Sequence, residues 1–423
     1  MKIERRKLLV TGFAGGATAA TLPLSAFGQS DEDSPNYAKL DAVLREPTFK
    51  MDLFLEPVVI ESVELLRFGK SFLCRVRSTD GAEGISVAHN TMSILYPIFV
   101  NRLQGGFVNQ DARRLDELLD KALVYAVNFR LGGLGIGIPL ATIEFAILDM
   151  MGRIAGKPVG QLIGEIHNTH IPVYQATEWR EKPVEESVAL IKAAVEKSQA
   201  QAVKIKVGAL MFMTKDLDAR GPEGRTEAII PRIRETFGDE MALYADANGY
   251  YQDVNEAIRV GKLLEEYKFS YFEEPVFFDW LDGTKAVADG LSIPVAGGEQ
   301  QHSIHAFRWL LANGGLDVVQ PDHYYFGGMI RSLKVARMGH AMGKQCIPHL
   351  SGGFGFIYML HLVSAMPNAG DHIEFKGYTG IPLECATSSL RVEDGAIKVP
   401  TGPGIGVDID PDYIRRHTAV KAD

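Results

Sequence analysis

Seven side chains that can ionise or carry a proton recur through the second half of the chain at nearly constant spacing. They are Lys206, Asp246, Glu273, Glu299, Asp322, His349 and Glu374, separated by 40, 27, 26, 23, 27 and 25 residues. Each lies at the end of a short apolar run: AVKIKV, ALYADA, SYFEEPV, IPVAGGE, LDVVQPD, KQCIPHL and HIEF. One strand, one helix and two short connections occupy roughly 25–30 residues, so the spacing places one reactive side chain per βα unit at the same phase. In a parallel barrel those phases meet at the C-terminal mouth, where active sites are built. Asp246, Glu273 and Glu299, on successive runs, repel one another strongly unless a cation lies between them, and burial sharpens the conflict. Oxygen donors without Cys or His favour Mg2+, with Mn2+ next. Lys204 and Lys206 stand at i, i+2 and share one face of a strand. Two buried ammoniums side by side are expected to lower each other's pKa, which yields a lysine able to take a proton near neutral pH. Asp322 and His349 close neighbouring runs, so the carboxylate can hold one ring nitrogen and leave the other toward a substrate. His323 is expected to point away from the site, and His372 is read as structural.

A divalent ion with basic groups on opposite walls suits removal of the proton α to a carboxylate. The ion neutralises charge as the proton leaves and stabilises the resulting enediolate. Two bases allow either enantiomer to be deprotonated. The intermediate is then reprotonated on the other face, or expels a β-hydroxyl where the substrate carries one.

The elements that must hold these residues are legible in the patterning. The eight apolar runs from IPVYQA to HIEF alternate with amphipathic stretches such as VEESVALIKAAVEKS and VNEAIRVGKLLEEY, which predicts an α/β fold: a modified, TIM-like (β/α) barrel. Before it, PVVIESVELLRF, SFLCRVRSTDG and GISVAHN read as a strand meander, broken at Gly69 and at Asp80-Gly81, and helical patterns follow at 111–126 and 138–156. Strands first and helices second make an N-terminal α+β capping domain. The expected division is a leader at 1–28, a loose polar lead-in at 29–47, the capping domain at 48–165, the barrel at 166–375, and a tail at 376–423 that packs back on the capping domain. The long first interval is assigned to an extra loop at 209–224, a lid candidate.

Composition bounds the alternatives. The chain has 423 residues, 46% hydrophobic and 23% charged, with a formal net charge of −9. That argues against a disordered, collagen-like or multi-span membrane protein, and an acidic chain without a basic run does not suit nucleic acid. Cys74, Cys346 and Cys385 are odd in number and far apart, so neither a disulfide framework nor a thiolate zinc site is expected. The first 28 residues carry paired Arg5-Arg6, a mild apolar stretch and small residues at Ala26 and Gly28. They resemble a twin-arginine export signal, and imply an exported, periplasmic protein with no stable membrane span once the signal is cleaved. No later segment is expected to be long and apolar enough to cross a bilayer.

VKIKVG at 203–208, DANG at 246–249, EEP at 273–275, GGE at 297–299, QPD at 320–322 and PHLSG at 348–352 together resemble the enolase superfamily. The paired QPD and PHL motifs point to its mandelate racemase and sugar-acid dehydratase branch. The resemblance covers about residues 50–400. It implies Mg2+ on Asp246, Glu273 and Glu299, with Lys206 as base and Lys204 beside the bound carboxylate. It makes His349 with Asp322 the second acid/base, and Glu374 the eighth-strand residue that bonds the substrate carboxylate or enediolate. Asn248 and Glu274 match positions flanking the metal. The implied substrate is a small-molecule carboxylate. The implied reaction is dehydration of an acid sugar to a 2-keto-3-deoxy acid, by a lyase, or else racemisation or epimerisation of a 2-hydroxy acid or amino-acid derivative; a non-catalytic exported binding barrel is the third reading. A homo-oligomer, dimer or octamer, is implied as well. The short connection between the first two strands, around Phe68 to Ser71, departs from relatives with a substrate-covering loop there.

Overall fold

The computed structural model describes residues 35–124, 131–209, 222–350, 352–377 and 390–421. The export-like leader, residues 210–221 of the lid candidate and Cys385 lie outside the described residues.

The N-terminal part is a four-stranded antiparallel sheet. β1 (Ile60–Phe68), β2 (Ser71–Ser78) and β3 (Glu83–Val87) form the meander, and β14 (Thr418–Ala419) from the end of the chain pairs with β1. Gly69, at φ +59°, makes the tight turn between β1 and β2. Against the sheet lie α2 (Met92–Ile98) and α4 (Leu134–Ala155), and α3 (Leu115–Val124) and α5 (Val159–Ile163) pack on α4. α4 is apolar around most of its circumference because it is buried on most sides: from Ile136 through Gly152 every residue is inside. It is therefore long and apolar enough to span a membrane, contrary to the expectation for this part of the chain, and its burial between sheet and barrel explains that composition.

The barrel strands are β4 (His170–Ala176), β5 (Ala202–Lys206), β6 (Ala242–Asp246), β7 (Tyr271–Glu273), β8 (Val295–Gly297), β9 (Val318–Val319), β10 (Gln345–Cys346) and β11 (Ile373–Phe375). They run parallel in the spatial order β11-β4-β5-β6-β7-β8-β9-β10. Seven crossover helices follow: α6 (Val184–Ser198), α7 (Arg225–Phe237), α8 (Val254–Glu266), α9 (Leu281–Gly290), α10 (Ile304–Ala312), α11 (Met329–Ala341) and α12 (Gly355–Ser364). The sequence pattern suggests eight strand–helix alternations; among the described residues no helix lies between β11 and β12 (Val392–Glu393), and the next helix is α13 (Pro411–Arg415) near the end of the chain. Where β10 and β11 come together, the Leu350 N–H donates to the Glu374 carboxylate at 2.8 Å. Tyr174, Tyr244 and Tyr271 fill the interior with Val318 and Ile347, a packed floor beneath the mouth.

Two further differences from the sequence reading have physical causes. The lead-in is not loose: α1 (Pro35–Arg45) buries Tyr37 and Leu40. Its Asp41 accepts two hydrogen bonds from Arg308 of α10 at 2.6 and 2.7 Å, and Asn36 donates to the Ala312 carbonyl. Tertiary anchors rather than local periodicity make this helix. The tail divides in two. β12 (Val392–Glu393) and β13 (Ala396–Lys398) form a hairpin, and β13 pairs antiparallel with barrel strand β4. α13 (Pro411–Arg415) then leads to β14 on the N-terminal sheet.

The two layers are locked by α4. Glu144 accepts the Met329 and Ile330 N–H groups at 2.6 and 2.9 Å, capping the start of α11. A Cβ at Gly137 would lie 2.0 Å from the Tyr325 carbonyl oxygen, so the helix reaches the β9 loop only because that position is glycine.

Candidate active site

The barrel register sets three of the groups side by side. Lys206 pairs with Asp246 across β5 and β6, and Asp246 with Glu273 across β6 and β7. Glu299 follows β8 after Gly298, whose φ of +110° turns the chain so that the carboxylate faces inward. One oxygen from each of Asp246, Glu273 and Glu299 lies within 4.8 Å of the others, and all three residues are buried. Asp322 and His349 follow β9 and β10, and Glu374 is in β11. The seven phased residues thus gather at one mouth.

Lys206 Nζ donates to Asp246 Oδ2 at 2.6 Å and to Asn248 Oδ1 at 2.9 Å. Lys204 Nζ donates to Glu273 Oε1 at 2.7 Å and lies 3.4 Å from Glu374 Oε1 and 3.6 Å from Asp246 Oδ2. Across the barrel, His349 Nδ1 and Asp322 Oδ2 are 2.7 Å apart. Asp322 Oδ1 accepts the N–H groups of Tyr324 and Tyr325 at 2.7 and 2.9 Å, which fixes the carboxylate. His349 Nε2 lies 3.4 Å from Glu299 Oε2 and 3.8 Å from Glu374 Oε2. His323 packs against Phe145 and Tyr324, away from the mouth, and His372 Nδ1 bonds the Tyr244 hydroxyl at 2.9 Å.

The electrostatics correct one expectation. Burial alone would push the two lysines down, and each repels the other. The facing carboxylates outweigh both effects: Asp246 holds Lys206 above its ordinary value, and Glu273 and Glu374 hold Lys204 well above. Burial likewise pushes Asp246 up, but the Lys206 and Lys204 charges bring it well below the usual carboxylate range. Glu273 is pushed up to about 7 by burial, against the pull of Lys204. Glu274 is raised further by burial and by the neighbouring Glu299 and Asp246. For His349, burial lowers the ring, yet Glu299 and the other carboxylates leave it raised.

These residues fit a divalent cation. Asp246, Glu273 and Glu299 bring carboxylate oxygens to one buried point, and their mutual repulsion helps raise Glu273 and Glu274, so a cation placed among them relieves that repulsion. Glu274 Oε1 is buried without a hydrogen-bond partner among the described residues. Its backbone, at φ +39°, is held in a strained conformation for a side-chain-bearing residue, as is Asn248 at +46°.

Four residues near the mouth received no role in the sequence reading. Gln320 Nε2 donates to Glu273 Oε2 at 2.8 Å. Arg180, buried after β4, donates to the Val207 and Asp246 carbonyls and to Asn248 Oδ1. The Tyr325 ring lies 5.9 Å from that of His349. Lys376 Nζ is 3.4 Å from His349 Nε2. Gln320 stands in the QPD motif, and Lys376 is two residues beyond Glu374, so both carried a positional signal. Arg180 and Tyr325 sit in loops with none.

Fold and site together define a capped (β/α) barrel of the enolase class. Residues 186–413, more than half of the chain, match the model of the enolase C-terminal domain-like family, and the chain belongs to that family. Among curated proteins it is similar to the arabinonate dehydratase of Saccharolobus solfataricus, with 27% identity over 79% of this chain and 87% of that protein. A Roseobacter denitrificans protein described as a candidate racemase superposes with a TM-score of 0.77 at 30% identity, over 86% of this chain and 99% of its own. A mandelate racemase/muconate lactonizing protein from Paracoccus denitrificans, solved with magnesium, superposes with a TM-score of 0.75 at 26% identity, over 86% and 100%.

Proposed function

We propose that this protein is a Mg2+-dependent lyase that removes the proton α to the carboxylate of an acid sugar and then expels the β-hydroxyl, giving a 2-keto-3-deoxy acid. The observation that carries this reading is the continuous span from Lys206, 2.6 Å from Asp246, across the acidic triad to His349, 3.4 Å from Glu299. Asp246, Glu273 and Glu299 would hold the ion, which supplies charge neutralisation for the substrate carboxylate and the enediolate. Lys204 orients that carboxylate, and Glu374, 3.4 Å from its Nζ, holds the ammonium in place. Lys206, on the second barrel strand, receives the α-proton once the carboxylate charge beside it is taken up by the ion. His349, after the seventh strand, approaches from the far side and protonates the departing hydroxyl. Asp322 keeps the Nδ1 proton in place and so leaves Nε2 for the substrate. The similarity to an arabinonate dehydratase supports the acid-sugar class.

Racemisation or epimerisation is the second reading, favoured by the placement of two bases on opposite walls and by the likeness to the Roseobacter protein. Incubating the purified protein with a panel of aldonic and aldaric acids and assaying 2-keto acids separates the two. Keto-acid formation supports dehydration, whereas inversion without keto acid supports the second reading. We further propose export through the arginine-paired leader, to be checked by fractionation, and a homo-oligomer, to be checked by sedimentation.

A further inference from the structure

Lys376 stands just beyond β11, two residues after Glu374, and the shared face of i and i+2 turns it toward the mouth. It differs from the inner lysines in exposure and in compensation. Its side chain is 32% exposed, against 1% for Lys204 and 6% for Lys206. Lys204 and Lys206 each donate to a carboxylate oxygen within 2.7 Å. The carboxylate oxygen nearest Lys376 among the described residues is Glu374 Oε1 at 3.9 Å, which Lys204 already approaches to 3.4 Å. The other Glu374 oxygen accepts the Leu350 N–H. An ammonium has three N–H donors, and one of these faces His349 Nε2 at 3.4 Å. Among the described residues, two donors and most of a positive charge are therefore left unmatched, on the His349 wall.

We infer that Lys376 binds an anionic group at the far end of the substrate, so that the site prefers acids with a second, terminal anion over monocarboxylic ones. The inference rests on the acid-sugar reading for its direction. The reacting carboxylate lies at the triad and Lys204, and the α- and β-carbons lie between Lys206 and His349. Lys376, 32% exposed against 10% for His349, borders that ring on its solvent side, where a group beyond those carbons arrives. Lysine is a point charge without bidentate geometry, so a carboxylate or a phosphate ester satisfies it equally.

The test is calorimetric binding to the Mg2+-loaded full chain, with adipate, 6-hydroxyhexanoate and 6-phosphooxyhexanoate. These probes share a six-carbon chain, differ at the terminus and have no β-hydroxyl to lose. The wild type is expected to bind at least one dianionic probe roughly tenfold or more above the hydroxy acid. The tighter of the two names the terminal group. Lys376→Met should abolish that preference while leaving the hydroxy acid within about twofold, and Lys376→Arg should retain most of it. Equal losses for all probes would make Lys376 a support for His349 or for the fold, and would overturn the inference. So would a wild type without preference, or a Met variant that keeps it. A Lys376-dependent preference in a protein that forms no keto acid would uphold this inference and refute the dehydratase reading. Keto-acid formation without the preference would do the reverse.

Discussion

Replacing Asp322 by Asn isolates the contribution of the Asp322–His349 dyad. Asp322 Oδ1 is committed to the Tyr324 and Tyr325 N–H groups, and Oδ2 meets His349 Nδ1 at 2.7 Å. An asparagine must keep its oxygen on the two backbone donors, so its NH2 group faces Nδ1. The ring then has to accept at Nδ1, and its proton moves to Nε2, the atom that faces the substrate. The variant loses one charge-assisted hydrogen bond, about 1.5–3 kcal/mol, and leaves a neutral ring that is a weaker acid at Nε2 than the imidazolium Asp322 stabilises. Together these amount to roughly 3–5 kcal/mol of transition-state stabilisation, a fall of about 10^2 to 10^4 in turnover. Keto-acid formation should drop by that factor. Metal titration should be unchanged, and deuterium exchange at the α-carbon through Lys206 should persist. A variant that keeps more than about a tenth of wild-type turnover with normal metal binding would refute the orienting role.

Three other perturbations test separate parts of the account. Glu299→Gln should weaken Mg2+ affinity by roughly 10- to 100-fold in a direct titration, because one of three charged donors becomes neutral; an unchanged titration would mean that the ion is held elsewhere. His361, whose Nε2–H donates to the Ile405 carbonyl at 2.9 Å, is pushed down to about 4 by burial. Its folded pKa is below its unfolded one, so its stabilisation is complete above about pH 6.5 and is lost as pH falls toward 4, about 3 kcal/mol in all. His361→Gln should flatten the slope of stability against pH by one proton across that window, and denaturant titrations with parallel slopes would contradict the assignment. Leu40→Ala, in the buried face of α1, should cost about 2–4 kcal/mol in the same assay, if α1 unfolds with the barrel; a change near zero would show that α1 docks without contributing to the core.

Much of the site is legible in the sequence because barrel geometry converts spacing into convergence. Lys206, Asp246 and Glu273 are neighbours in register, and their intervals of one βα unit already implied it. The fold was legible for the same reason, since eight apolar runs with helical stretches between them admit few arrangements. What escaped the sequence depended on contacts between distant segments. α1 is helical because Tyr37 and Asp41 find partners on the barrel helices, which no local pattern reveals. The lysine pair was expected to depress its own pKa values, but which of several buried charges dominates is decided by distances of a few ångströms, and the carboxylates are nearer. Arg180 reaches Asn248 from a loop after another strand, and Tyr325 lies beside His349 from the loop after β9.

The central claim is that this protein labilises the proton α to a carboxylate with the help of an ion held by three barrel carboxylates. Proton NMR in D2O, following the α-proton of each acid in a panel of aldonates and aldarates, tests it most directly. With Mg2+ the protein should replace that proton and accumulate 2-keto-3-deoxy acid from at least one member of the panel, and a chelator should stop both. Retention of every α-proton by protein shown to bind Mg2+, or loss at the same rate after chelation, would contradict it.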